Sequence, residues 1–122
     1  METKHTKIRV IDFTEYPGPR YISQGDKSGE EFYKSFLKPN FETALNEGKI
    51  LVVDLDNTAG FASSFLDEAF GNLIFEFSLA TVKPNIDIIS NQEPDWKDMI
   101  FNNVFNDWEG RRLTDQQPKK TI

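Results

Sequence analysis

KILVVDLDNTAGFASSFLDEAFGNLIFEF, residues 49–77, changes period halfway along. Ile50, Leu51, Val52 and Val53 form an unbroken β-favouring run. A run without polar alternation reads as a central strand buried on both faces. The polar segment after Val53 reads as a connection. A helix then starts at Ser63 or Ser64. Phe65, Leu66, Ala69, Phe70, Leu73, Ile74 and Phe77 fall on one side of that helix. A strand feeding an amphipathic helix is the building unit of an α/β fold.

Upstream, Ser28 and Glu31 have capping-box spacing, which places a helix start there. Phe32, Phe36 and Leu37 supply its apolar stripe, and Pro39 interrupts or restarts it. Phe41, Ala44 and Leu45 continue the stripe, and Gly48 is a natural stop. Residues 7–13 read as a strand and residues 16–19 as a turn. Arg20 to Ser23 reads as a short second strand, giving a hairpin-like start. Downstream, residues 85–90 read as another strand. Pro94 opens a third helix, lined by Trp96, Ile100, Phe101, Val104, Phe105 and Trp108, which Gly110 ends. The order β-β-α-β-α-β-α predicts an α/β fold: a small central mixed β-sheet with about three helices packed against it. Residues 7–110 form one domain, between a flexible segment 1–6 and a polar, disordered tail 111–122.

The chain has 122 residues, enough for one core and little more. It has no cysteine, which excludes disulfides, thiolate metal sites and cysteine nucleophiles. The first residues lack the apolar region of a signal peptide, and no run is long enough for a membrane helix. The expectation is a cytoplasmic protein with no membrane contact. Net charge is −6, unevenly spread. Residues 54–109 carry eleven acids against two lysines. That half repels phosphate backbones, so no nucleic-acid partner is expected. It suits a basic partner surface, or serves solubility alone.

Asp54, Asp56 and Thr58 match the Asp-x-Asp-x-Thr pattern of haloacid-dehalogenase-type phosphatases, which this stretch resembles. The resemblance implies a nucleophilic first Asp, a proton-shuttling second Asp and a magnesium ion. Residues 88–91 resemble that family's second motif, and Lys97 stands where its third would be sought. The family then needs a further carboxylate-bearing strand. Only Asp98, Asp107, Glu109 and Asp115 follow Lys97, and none comes after an apolar strand-like run. The favoured alternative for Asp54 is structural: an Asp just past a strand accepts loop N–H groups and fixes the turn. His5 is the only histidine, which argues against a histidine triad or metal site. Residues 25–29, GDKSG, lack the Gly-Lys-Ser/Thr order of a phosphate loop. No catalytic residue, metal ligand or cofactor is assigned.

Three segments together resemble the STAS-like domain family DUF4325. They are Gly18-Pro19-Arg20 with Gly25 and the run Ser28-Gly29-Glu30-Glu31-Phe32; residues 52–56, VVDLD; and residues 64–73, SFLDEAFGNL. The resemblance spans about residues 8 to 108. STAS-like domains resemble bacterial anti-sigma factor antagonists. In those, a small β/α domain binds an ATPase-fold kinase, and phosphorylation of a serine at a helix N-terminus switches binding off. The resemblance therefore implies a regulatory, non-catalytic module with a protein partner, possessing a histidine-kinase-type ATPase fold. The phosphoacceptor candidates are Ser63 and Ser64. Gly60, Phe61, Asp67 and Glu68 are the partner-contact candidates. Arg20, Gly25, Ser28, Gly29, Asp54 and Gly71 are expected to be structural. Better-known antagonists carry an acid before the serine pair and a glycine after it, where this chain has Ala62 and Phe65. Capping by one serine, with Ser64 and Asp67 at capping-box spacing, is the expected structural role. Arg20 is expected to pair with Glu30 or Glu31, or to serve a partner. An unphosphorylated interaction module and an incomplete magnesium phosphatase remain as alternatives.

Overall fold

The computed structural model describes residues 4–115. Its order is β1 (Lys4–Arg9), α1 (Val10–Phe13), α2 (Gly29–Phe32), α3 (Lys38–Asn46), β2 (Lys49–Asp54), α4 (Ser63–Phe77), α5 (Leu79–Val82), β3 (Ile86–Ile89), α6 (Asp95–Met99) and α7 (Phe105–Asp115). The α/β class stands, but the sheet is not mixed. All its pairings are parallel, in the order β1-β2-β3.

Arg20 to Ser23 forms no strand; a 3₁₀ turn occupies Ile22–Gln24. The carbonyls of this segment have a different task. The Pro19 carbonyl accepts from the Gly29 N–H at 2.9 Å, and the Arg20 carbonyl from the Glu30 N–H at 3.0 Å. The loop thus satisfies the open N–H groups of α2 instead of joining the sheet. Ser28 caps α2 as expected, accepting from the Glu31 N–H.

Helices α2 and α3 are continuous through a π turn over Tyr33–Leu37. Pro39 therefore does not break the run. A proline ring clashes with the carbonyl four residues back and offers it no hydrogen. The wider π turn relieves that crowding, and the Asn40 side chain donates to the Phe36 carbonyl at 2.7 Å. Gly48 ends this helix at φ +67°, the left-handed stop that glycine tolerates. A second π turn, Ile100–Val104, joins α6 to α7. The last helix runs straight through Gly110 to Asp115. Residues 111–115 are thus helical, whereas the rest of the expected tail, 116–122, lies outside the described residues. At the other end Lys4, His5 and Thr6, expected in a flexible segment, pair with Lys49, Ile50 and Leu51.

The sheet has one covered face. Leu51 and Val53 are fully buried, with Ile86 and Ile88 beside them, whereas Ile50 and Val52 are only half-buried. The expectation of a strand buried on both faces therefore fails. With parallel strands in the order β1-β2-β3, crossovers of the usual right hand place the helices of both connections on the same side. Phe32, Leu37, Phe41, Phe65, Phe70 and Leu73 fill the space between those helices and the sheet. The last helix packs on α4, where Phe105 and Trp108 are buried. No helix among the described residues is long and apolar enough to cross a membrane.

Candidate functional site

The carboxyl ends of β2 and β3 meet in two loops tied together by Asp56. Its Oδ1 accepts the backbone N–H groups of Asn91 at 2.9 Å and Gln92 at 3.0 Å, and its Oδ2 accepts from the Asn91 side chain. Asp54 is nearly buried; its Oδ1 accepts the Asp56 N–H at 2.9 Å, and Lys7 stands 3.7 Å from its Oδ2. Both carboxylates of the phosphatase-like pattern are thus engaged in holding turns, the role expected of Asp54. Between these loops lies a cleft of about 460 Å³ lined by Asp56, Thr58, Gly60, Phe61, Ser90 and Trp96, among others. Gly60 sits at φ +131° with open space around it. Phe61 packs its ring against Phe65. Trp96 is half-buried here, and only Trp108 is buried outright.

Helix α4 begins without a side-chain cap. Ala62 is its N-cap residue, so Ser63 and Ser64 occupy the first two helical positions. Neither serine caps the helix, contrary to expectation. Asp67 cannot complete a capping box because its carboxylate is taken elsewhere. Oδ2 accepts from Arg20 at 2.6 Å, and Oδ1 accepts the Trp108 indole N–H at 3.0 Å. Glu68 is more buried still. It meets Arg20 at 3.3 Å through Oε1, and the Asn72 side chain donates to its Oε2 at 2.8 Å. Burial alone would lower the basicity of Arg20. Its hydrogen bonds and attraction to Asp67 and Glu68 more than reverse that and hold the guanidinium above its ordinary value.

Arg20 therefore pairs across the molecule with α4, not with Glu30 or Glu31. Glu30 accepts the Ile22 N–H at 2.9 Å and lies 3.0 Å from the Lys34 ammonium; Glu31 accepts the Lys27 N–H at 3.0 Å. The glycines mark close contacts. A β-carbon on Gly71 would fall on the Trp108 ring, and one on Gly29 would fall on the Phe65 backbone. Gly25, also expected to be structural, takes φ +155° at the close of the 3₁₀ turn, its N–H bonded to the Ile22 carbonyl.

Ser63 is exposed and shares a shallow depression with Arg20, Asp67, Asn103 and Asp107. Ser64 is half-buried. Five of the six residues proposed from sequence thus divide among three hollows. Ser63 and Asp67 line this depression, Gly60 and Phe61 line the carboxyl-edge cleft, and Glu68 faces a third hollow beside Asn72 and Glu76. Sequence reading missed Trp108 and Asn72 as partners of the acids. The only available signal was the small residue Gly71, which makes room for a large ring on a neighbouring helix.

The described residues thus form a parallel α/β layer with helices on one face and an arginine-bridged acidic helix start. The family model described as STAS-like domain of unknown function (DUF4325) matches residues 28–96, more than half of the chain, and the chain belongs to that family. The match includes β2, α4, β3 and the whole α2–α3 run. No curated protein matches the chain, and no solved structure does.

Proposed function

We propose that the chain is a regulatory, non-catalytic protein-binding module of the anti-sigma-antagonist kind. Its docking surface would be residues 60–64 with the first turn of α4, and phosphorylation of Ser63 by an ATPase-fold kinase partner would switch it. The observation that carries this reading is the uncapped, exposed Ser63 beside Arg20. Phosphate on Ser63 would meet first-turn N–H groups that no side chain caps, and the positive end of a four-turn helix. That environment favours an anion by about 0.3–2 kcal/mol. Arg20 in the same depression adds attraction, while Asp67 and Asp107 oppose it. The charge then falls on whatever docks there, so the helix survives and the complex weakens.

The test is incubation with a histidine-kinase-type ATPase-domain protein from the same genome, with ATP and magnesium. One phosphate should be gained, lost in Ser63→Ala and kept in Ser64→Ala, read by mass spectrometry. Ser63→Asp should weaken the complex at least about tenfold by calorimetry. A complex that forms equally well with Ser63→Asp, or phosphate on Ser64 alone, overturns the assignment of Ser63. Failure to form any complex overturns the partner assignment.

A further inference from the structure

The uncovered face of the sheet is ordered in rows. Lys7, Val52 and Asp87 are paired side by side across the three strands. One row along, Arg9, Asp54 and Ile89 do the same. Lys7, Arg9, His5 and Asp87 are exposed on this side, and Ile50, Val52 and Ile89 are half-buried. None of those three apolar side chains is packed against the core cluster. All-parallel sheets are normally covered on both faces, because each bare face leaves apolar side chains wet. The flanking edge is defended: the Ile88 N–H is taken by its neighbour Asp87, which also meets Lys97 at 3.2 Å. Strand addition at β3 is therefore disfavoured, whereas the face itself is open among the described residues.

We infer that this face binds the same face of a second copy of the chain, about a two-fold axis running parallel to β2. The charge pattern selects that occupant. The Lys7–Val52–Asp87 row, reading cation, apolar, anion, is complementary to itself under such an axis; in the next row Asp54 faces its own copy, but it is nearly buried and held by the Asp56 N–H and Lys7. The rotation lays β1 of one copy over β3 of the other and preserves height along the strands. Lys7 then meets Asp87 of the second copy, and Val52 meets Val52. Sheets stacked about 10 Å apart leave room for a lysine to reach a carboxylate. Each copy contributes one Lys7 and one Asp87, so two such contacts flank the apolar centre. Strands of six, six and four residues, spaced about 4.8 Å apart, cover only some 250 Å² in plan. That is small beside the roughly 800 Å² per partner of a stable complex, so the dimer is weak and reversible. The start of α4 lies on the other side of the sheet and stays free for a partner.

Sedimentation velocity of the full chain from about 10 µM to 1 mM should show a concentration-dependent monomer–dimer equilibrium, weaker at high salt. Lys7→Glu alone and Asp87→Lys alone should each raise the dissociation constant at least about tenfold, since like charges then face each other. Mixing the two single variants should restore association, because each copy supplies the charge that the other lacks. Val52→Lys, which touches no core residue, should abolish the dimer with the circular dichroism spectrum unchanged. A monomer at 1 mM overturns the inference and leaves the face to a different partner. A dimer that ignores all three substitutions, or single variants that do not recover on mixing, overturns it as well.

Discussion

Glycine positions distinguish contact from punctuation. Gly71 and Gly110 both lie inside helices, but their surroundings differ. Gly71 touches the Trp108 ring, and nothing lies within 4 Å of a β-carbon on Gly110. Gly71→Ala should therefore push the last helix off α4 and destabilise the fold by about 1–3 kcal/mol. Gly110→Ala should stabilise it by about 0.5–1 kcal/mol, since it only removes backbone freedom in an exposed helical position. Urea unfolding of both variants, followed by tryptophan fluorescence, checks the opposite signs. The same contrast governs the acids. From sequence, Asp67 and Glu68 read as a surface for a partner, yet the fold spends them on Arg20, Trp108 and Asn72. Asp67 and Glu68 lie 47 and 48 residues from Arg20 in the chain, and Asp67 lies 41 from Trp108, so no local pattern encodes the meeting.

At the scale of elements, the two helix starts follow different rules. Helix α2 carries the predicted serine cap, and α4 carries none, with Ala62 in extended geometry at its N-cap. Ala62→Ser or Ala62→Asp should therefore stabilise the protein by about 0.5–1 kcal/mol by supplying the missing acceptor. Ser63→Ala should stay within about 0.5 kcal/mol of the parent, because no cap is lost. Thermal unfolding of these variants decides it; a loss above about 1 kcal/mol in Ser63→Ala would show that the hydroxyl holds the helix after all. The strand expected at Arg20 illustrates the same point. Its residues favour extension, but the open end of α2 competes for its carbonyls and wins. The π turns were also invisible beforehand, since apolar spacing alone does not distinguish a continuous helix with one wide turn from two separate helices.

For the molecule as a whole, stability should fall in acid through carboxylates whose protonation the fold resists. Burial would raise Glu76, but hydrogen bonds from Tyr33 and Lys38 outweigh it and hold the carboxyl below its ordinary range. Hydrogen bonding to Arg112 does the same for Glu109. A carboxyl depressed in the folded state binds its proton less readily there than in the unfolded chain. The stability it contributes is thus present above the unfolded value, about 4.3, and is lost as pH falls through the lower folded value. Chemical unfolding between pH 6 and about pH 3 should show this decline. Glu76→Gln should flatten part of it; an unchanged slope would mean that Glu76 is not held as the geometry indicates.

The sequence by itself determined the α/β class, the places of β2, α4 and β3, the Ser28 cap, the Gly48 stop and the family. Each of these rests on local periodicity, capping or a contiguous motif, which physics reads over a few residues at a time. Only the tertiary structure decided that the sheet is parallel with one open face, that Arg20 bridges to Asp67 and Glu68, and that Ser63 stands exposed while Ser64 turns inward. Those outcomes depend on which helix lies over which strand. Crossover handedness and close packing set that arrangement between segments far apart in the chain, beyond the reach of any short window of sequence.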